Sequence, residues 1–406
     1  MAEREEPRTS AAEQEAPWTV AAERERAGAG TAGRTVPLVD VAAAWRAQRA
    51  ELDAAMARVV AAGAFIGGPE VVAFERAFAA YCGARLAVGV ASGTAALHLG
   101  LLALGVGPGD DVVTVAHTFA ATAEAIEHAG ARPRFVDVDE TTGGMDPKAL
   151  AAALDGAAAV VPVHLYGLPV DIGPIAGLAA EAGVPVLEDA AQAHGATVTV
   201  PDEPAPRRAG SLGALAAFSF YPGKNLGAFG DAGAVTTDDE DLAARVARLR
   251  DHGRIDKYEH GEVGYGERLD ALQAAVLEVK LTRLEAGNSA RRQLAGRYSE
   301  ALEGAGDLVL PSVPAGRSSA WHLYVVRTRQ RDALLAHCHA AGVQAAVHYP
   351  LPLHLQPAFR HLGYAPGELP VSEAWAAECL SLPLYPQLEP AAQDHVIATV
   401  RDFFAI

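Results

Sequence analysis

Cysteine, methionine and positive charge are all in short supply in this chain of 406 residues. Its three cysteines, Cys82, Cys338 and Cys379, are scattered. They form no CxxC pair and no zinc spacing, which excludes a disulfide scaffold or a cysteine-held metal, leaves no metal expected and suits a reducing compartment. No apolar run approaches the roughly 20 residues that a membrane-spanning helix needs. The amino-terminal stretch lacks the apolar core of a signal peptide, so a cytoplasmic location is expected. Lysine and arginine number 33 against 50 aspartates and glutamates, a formal net charge of -17 at pH 7. Nucleic acid and anionic membrane both call for a basic footprint, and neither is an expected partner. Gly105-Val106-Gly107-Pro108-Gly109 has the glycines of a phosphate loop but neither its lysine nor a dinucleotide spacing, so it reads as a turn.

Hydrophobic residues make up half of the chain, enough for a large core and more than one folding unit. Residues 1–35 are Ala, Glu, Arg, Gly and Thr with little to bury, and read as a disordered extension. From Val36 the composition turns globular. Apolar runs then alternate with helical periodicity: strands at 86–90, 111–116, 134–138, 159–164 and 185–187, with helices at 94–104, 120–129, 147–154 and 172–182 between them. Repeated βα units imply a mainly parallel sheet covered by helices on both faces. A helix starting near Leu269 is expected to bridge to a smaller α+β unit, with residues 36–285 forming the large domain and 286–406 the small one.

Four local patterns carry possible chemistry. In Phe218-Ser219-Phe220-Tyr221-Pro222-Gly223-Lys224-Asn225-Leu226-Gly227, an apolar run breaks at Pro-Gly and presents one lysine. A lysine held among buried rings loses hydration and becomes a nucleophilic amine near neutral pH, although Lys224 could equally be a solvated turn residue. The strand before Glu188-Asp189 ends in two carboxylates, placed either to face the crevice beyond the sheet or to cap the next helix. Ser92-Gly93-Thr94 opens a helix, as a phosphate seat or as an ordinary N-cap. Phe119 ends a strand, either as a ring to stack on a flat cofactor or as core.

Ser92-Gly93-Thr94, Glu188-Asp189-Ala190-Ala191-Gln192-Ala193-His194-Gly195 and the stretch from Phe218 to Gly227 together resemble the signatures of the DegT/DnrJ/EryC1/StrS aminotransferase family. The likeness runs from about Val36 to near the carboxyl terminus. It implies a fold-type I pyridoxal 5'-phosphate (PLP) enzyme, of α/β class, that aminates keto sugars or keto cyclitols. By the same resemblance Lys224 forms the imine with PLP and acts as acid and base, and Asp189 keeps the pyridine nitrogen charged. Ser92, Gly93, Thr94 and Ser219 seat the phosphate, Phe119 stacks on the ring, Gln192 meets the 3-oxygen and His194 supports Asp189 from behind. The segment His348-Tyr349-Pro350-Leu351-Pro352-Leu353-His354 resembles the substrate-facing loop, which makes His348 and Tyr349 candidate substrate contacts.

The resemblance also implies a homodimer with active sites at the subunit interface. There the chain departs from the family pattern, since Gly266 stands where an asparagine usually reaches the partner's cofactor phosphate. Arg268, a backbone N–H or water would have to replace that contact. The expected reaction moves an amino group from glutamate or glutamine, through pyridoxamine phosphate, to a keto group of a nucleotide-linked deoxysugar in antibiotic or polysaccharide biosynthesis. A keto cyclitol is the alternative acceptor, and a non-catalytic PLP-binding regulator or scaffold is the alternative of another class. A dehydratase branch with histidine in place of the lysine is disfavoured by Lys224.

Overall fold

Seven short segments assemble into one sheet: β1 (Leu86–Val90), β2 (Asp111–Val115), β3 (Arg132–Val136), β4 (Ala157–Val161), β5 (Leu187–Asp189), β6 (Leu215–Ser219) and β7 (Gly233–Thr237). The structure is a computed structural model that describes residues 35–200 and 203–405, so the extension expected over residues 1–35 lies, except for Thr35, outside the described residues. Strands β3, β2 and β4 pair in parallel. Parallel bridges Val160–Val186 and Val163–Asp189 join β4 to β5, and β5 pairs in parallel with β6. Strand β7 is antiparallel to both β6 and β1. The order is therefore β3-β2-β4-β5-β6-β7-β1 with β7 alone reversed, the mainly parallel α/β arrangement that the βα alternation implies.

Because side chains alternate along a strand, one strand feeds two cores. Leu215 and Ala217 of β6 join the cluster around α1 (Gly93–Ala103), while Ala216 and Phe218 join the opposite one. In that opposite cluster Phe78 meets Phe218 and Phe220 edge to face at 4.9 and 5.0 Å. Removing such a ring from a packed core costs about 3–5 kcal/mol. Cys82, Cys338 and Cys379 are all buried.

Boundaries differ from expectation in several places: the strands expected at 134–138 and 159–164 run over Arg132–Val136 and Ala157–Val161, and two further differences bear on the site. Strand β5 does not stop at Leu187 but carries both acids inside the sheet. The reason lies in the backbone: Asp189 N–H donates to the Pro162 carbonyl (2.9 Å), His164 N–H donates to the Asp189 carbonyl (3.0 Å) and Ala190 N–H donates to Ala217 (2.9 Å). With α2 (Ala120–His128) placed after β2, the bridging helix α3 (Ala271–Leu281) stops short of the expected Leu284, and α4 (Leu284–Leu302) begins there and takes in the amphipathic helix expected over 291–301. At the break, Thr282 donates its hydroxyl to the Val279 carbonyl (2.7 Å), and Thr282 and Arg283 N–H make i to i–3 bonds, which tighten and end the turn.

Beyond α4, β8 (Tyr324–Arg327) pairs antiparallel with β9 (Cys379–Leu382). Their core takes in Tyr298, Tyr324, Val326, Leu380 and Leu382, together with Val36 from the start of the described chain. Among the described residues no helix is long and apolar enough to cross a membrane.

Candidate active site

The carboxyl end of β5 separates two adjacent acids, since neighbours on a strand face opposite ways. Glu188 is fully buried and accepts from His164 Nε2 (2.8 Å) and from the N–H groups of Gly210 (2.8 Å), Leu212 (2.7 Å) and Gly213 (2.7 Å). Val170 N–H donates to His164 Nδ1 (3.1 Å), which places the imidazole proton on Nε2. Burial works against the Glu188 charge, but the His164 and backbone donors outweigh it and hold the carboxyl below its usual range. Glu188 therefore staples the 210–213 turn and is not free for chemistry.

Asp189 points the other way, toward α2. Its carboxylate accepts from Thr122 Oγ1 (2.8 Å) and Ala191 N–H (3.2 Å). Burial pushes its pKa up, while Thr122, Ala191 and then the charge of Lys224 oppose that shift. At Lys224, burial lowers the ammonium to about 8, and Asp189 acts in the opposite direction. The two groups thus feel one another's charge, yet among the described residues no ion pair joins them. Lys224 N–H is held by the Tyr221 carbonyl (2.8 Å), so the Pro222-Gly223 turn fixes the backbone from which the amine projects.

Ser92, Gly93, Thr94 and Ser219 converge at one edge of this space. Ser92 Oγ accepts from Ala95 N–H (3.0 Å), an N-cap as its residue type allows. The first N–H groups of α1 have no intrahelical partner and point out of the helix at its positive end, where an anion is stabilised. A Cβ at Gly93 would stand 2.6 Å from Ser219 Cβ, so only glycine lets the helix terminus meet β6 this closely. Gly93→Ala is accordingly expected to cost about 1–3 kcal/mol in urea unfolding and to loosen cofactor retention, with Ser219→Gly restoring part of the stability. An unchanged unfolding midpoint would show that the contact yields freely.

The aromatic wall is assembled from three distant segments. Phe119 is 53 % exposed rather than core, and its ring lies 5.5 Å from that of Tyr349. Gln192 Oε1 accepts from Tyr166 N–H (2.6 Å) and its Nε2 donates to Tyr349 Oη (3.3 Å). Tyr166 in turn donates its hydroxyl to the His348 carbonyl and accepts from His117 Nε2 (2.7 Å). His348 Nδ1 bonds to Ser381 Oγ (2.8 Å).

His194 does not support Asp189 as expected. Its ring lies 5.4 and 5.7 Å from Phe218 and Phe220, with neither nitrogen partnered among the described residues. Thr122 takes the supporting role, because Asp189 faces α2 and His194 lies among the rings of the opposite core. Arg268 is committed to Asp251 (2.7 Å), and a Cβ at Gly266 would meet His252 Cε1 at 3.3 Å. Thr122 was missed in the sequence, whereas the apolar run ending in His164 and Tyr166 reads there as a wall of the site with no chemistry assigned to either ring. The only signal for Thr122 was its i, i+4 spacing from Thr118 directly after β2.

A buried carboxylate with no cationic partner gains from a protonated ring nitrogen, and an amine near neutrality gains from an aldehyde. These residues fit PLP, and with this strand order the protein is a fold-type I PLP-dependent transferase. Comparison with known proteins narrows the class. The profile of the DegT/DnrJ/EryC1/StrS aminotransferase family matches residues 46–401, and the chain belongs to that family.

Among relatives, it is 46 % identical over 367 residues to the erythromycin biosynthesis sensory transduction protein EryC1 of Saccharopolyspora erythraea, covering 90 % of this chain and 99 % of that protein. It is 44 % identical over 369 residues to dTDP-3-amino-3,4,6-trideoxy-alpha-D-glucose transaminase of Streptomyces venezuelae, covering 91 % of this chain and 96 % of that protein. The crystal structure of S. venezuelae DesV in complex with a ketimine intermediate superposes with a TM-score of 0.88 at 44 % identity, over 92 % of this chain and 99 % of that one. The chain is thus a PLP-dependent aminotransferase.

Proposed function

We propose that this aminotransferase moves an amino group from glutamate or glutamine to the keto group of a nucleotide-linked deoxysugar. The observation that carries the reading is the half-buried Lys224, its ammonium lowered to about 8 by burial and within reach of the charge of Asp189, which opposes that shift. The acceptor class rests on the S. venezuelae transaminase, whose name specifies a dTDP-linked amino sugar.

When bound, PLP supplies an aldehyde and an electron sink. Lys224 would hold the aldehyde carbon and, once released, move protons at Nζ. Asp189 would keep the ring nitrogen charged, held in place by Thr122. Ser92, Gly93, Thr94 and Ser219 would seat the phosphate, and Phe119 would cover one ring face. Gln192, braced by Tyr166 and Tyr349, would keep one amide hydrogen for the 3-oxygen. Tyr349 and His348 would border the acceptor. We place the protein in the cytoplasm as a homodimer, with the domain boundary near Ala286, and infer that the segment around Gly266 and His252 lies toward a partner's site.

The name of EryC1, a sensory transduction protein, keeps a regulatory reading open to test. The holoenzyme with L-glutamate or L-glutamine and no acceptor is expected to convert its cofactor to pyridoxamine phosphate, read by chromatography of the released cofactor. Failure with both donors, while the cofactor stays bound, would favour a regulator.

A further inference from the structure

Lys224 borders a second space that no other residue assigned to the cofactor lines. A cavity of about 320 Å³ opens between the 39–48 segment, the Pro222–Asn225 turn, the α3–α4 break and the segment around Tyr385. Three more cationic side chains, Lys280, Arg283 and Arg291, line it. Among the described residues none of the four forms an ion pair with a carboxylate. Their partners are neutral: Lys280 Nζ donates to the Gly227 carbonyl and lies 5.2 Å from the Phe229 ring, and Arg291 Nη1 donates to the carbonyls of Leu384 (2.9 Å), Trp321 (3.2 Å) and His322 (3.3 Å). The carboxylate on the wall, Asp40, is engaged by Ala43 N–H (2.9 Å) and Arg46 (2.9 Å).

Burial alone pushes the Lys280 ammonium down to about 8 and the Arg291 guanidinium down to about 10, with no neighbouring acid to offset it. In a chain holding 50 acids and 33 bases, concentrating uncompensated cations in one cavity leaves a desolvation cost that a bound anion removes.

We propose that this cavity is an oxyanion site, in which Lys280, Arg283 and Arg291 receive a carboxylate or phosphate group of a substrate beside the amine at 224. The existence of the site stands on the cavity, while the source of its anion rests on the proposed function: a carboxylate of the amino donor or the diphosphate of the nucleotide sugar.

Calorimetric titration of the full-length holoenzyme with glutarate and, separately, with inorganic pyrophosphate tests it. Neither probe carries an amine. At least one is expected to bind saturably and more weakly in high salt, and Arg283→Gln is expected to weaken it about 5- to 10-fold. Binding of glutarate assigns the site to the donor, and binding of pyrophosphate assigns it to the sugar nucleotide. Lys280→Met should weaken the same probe, and because that lysine is buried, the exposed Arg283 provides the deciding variant. No binding of either probe, or binding indifferent to Arg283→Gln, overturns the proposal. Amino transfer without anion binding would sink this inference alone, and anion binding without amino transfer would sink the proposed function alone.

Discussion

Replacing Lys224 by alanine is expected to lower amino transfer by at least about 10⁴-fold, since one side chain supplies both the covalent attachment and the proton transfer. Borohydride treatment of the wild-type holoenzyme should fix the cofactor on the peptide containing Lys224, and the variant should release all of it on denaturation. Lys224→Arg keeps a positive charge opposite Asp189 but presents no amine, so it should be as inactive as the alanine variant while retaining more of the native stability. The pH dependence has a definite sign. Burial lowers the lysine from 10.5 to about 8, so the amine becomes neutral as pH rises through about 8. An ordinary lysine at that pH is neutral to well under about 1 %. Covalent capture of PLP by cofactor-free protein should therefore rise with a midpoint near 8, and a midpoint near 10.5 would remove the basis for the assignment.

Asp189→Asn should reduce turnover on the order of 10³-fold, the scale on which one preorganised electrostatic contact acts. Its stability signature runs opposite to its activity. Burial raises the Asp189 pKa, so the folded cofactor-free chain disfavours the ionised acid, and that penalty grows as pH rises through the raised value. The cofactor-free asparagine variant should thus be at least as stable as wild type at pH 7 in urea, yet hold PLP more weakly. Because Asp189 raises the pKa of Lys224, its loss should also move the capture midpoint lower. A variant destabilised without cofactor and unaltered in PLP affinity would make Asp189 a structural acid.

The parts of the site that were legible in the sequence are those carried by contiguous residues. Ser92-Gly93-Thr94 announces a helix start, Glu188-Asp189 ends an apolar run, and the Pro222-Gly223 turn isolates Lys224, because each depends on backbone preferences that act over a few positions. Gly93 is an intermediate case. Its type is visible in the sequence, but the reason for it, Ser219 Cβ at 2.6 Å, comes from a strand more than a hundred positions away.

Alternation along β5 dictates that Glu188 and Asp189 face opposite sides, but not which of them meets the site. That choice followed only once β5 was hydrogen-bonded between β4 and β6, turning Asp189 toward Thr122 and Glu188 toward the 210–213 turn. In the same way, the Tyr166–Gln192–Tyr349 brace and the cationic cavity join segments separated by dozens to hundreds of residues. The sequence by itself determined the βα alternation, the adjacent pair of acids that ends an apolar run and the turn that isolates Lys224, since hydrophobic period and turn chemistry are local. The tertiary structure decided which carboxylate faces the site, what steadies it and where the cations gather, because desolvation and charge pairing depend on neighbours brought together only by folding.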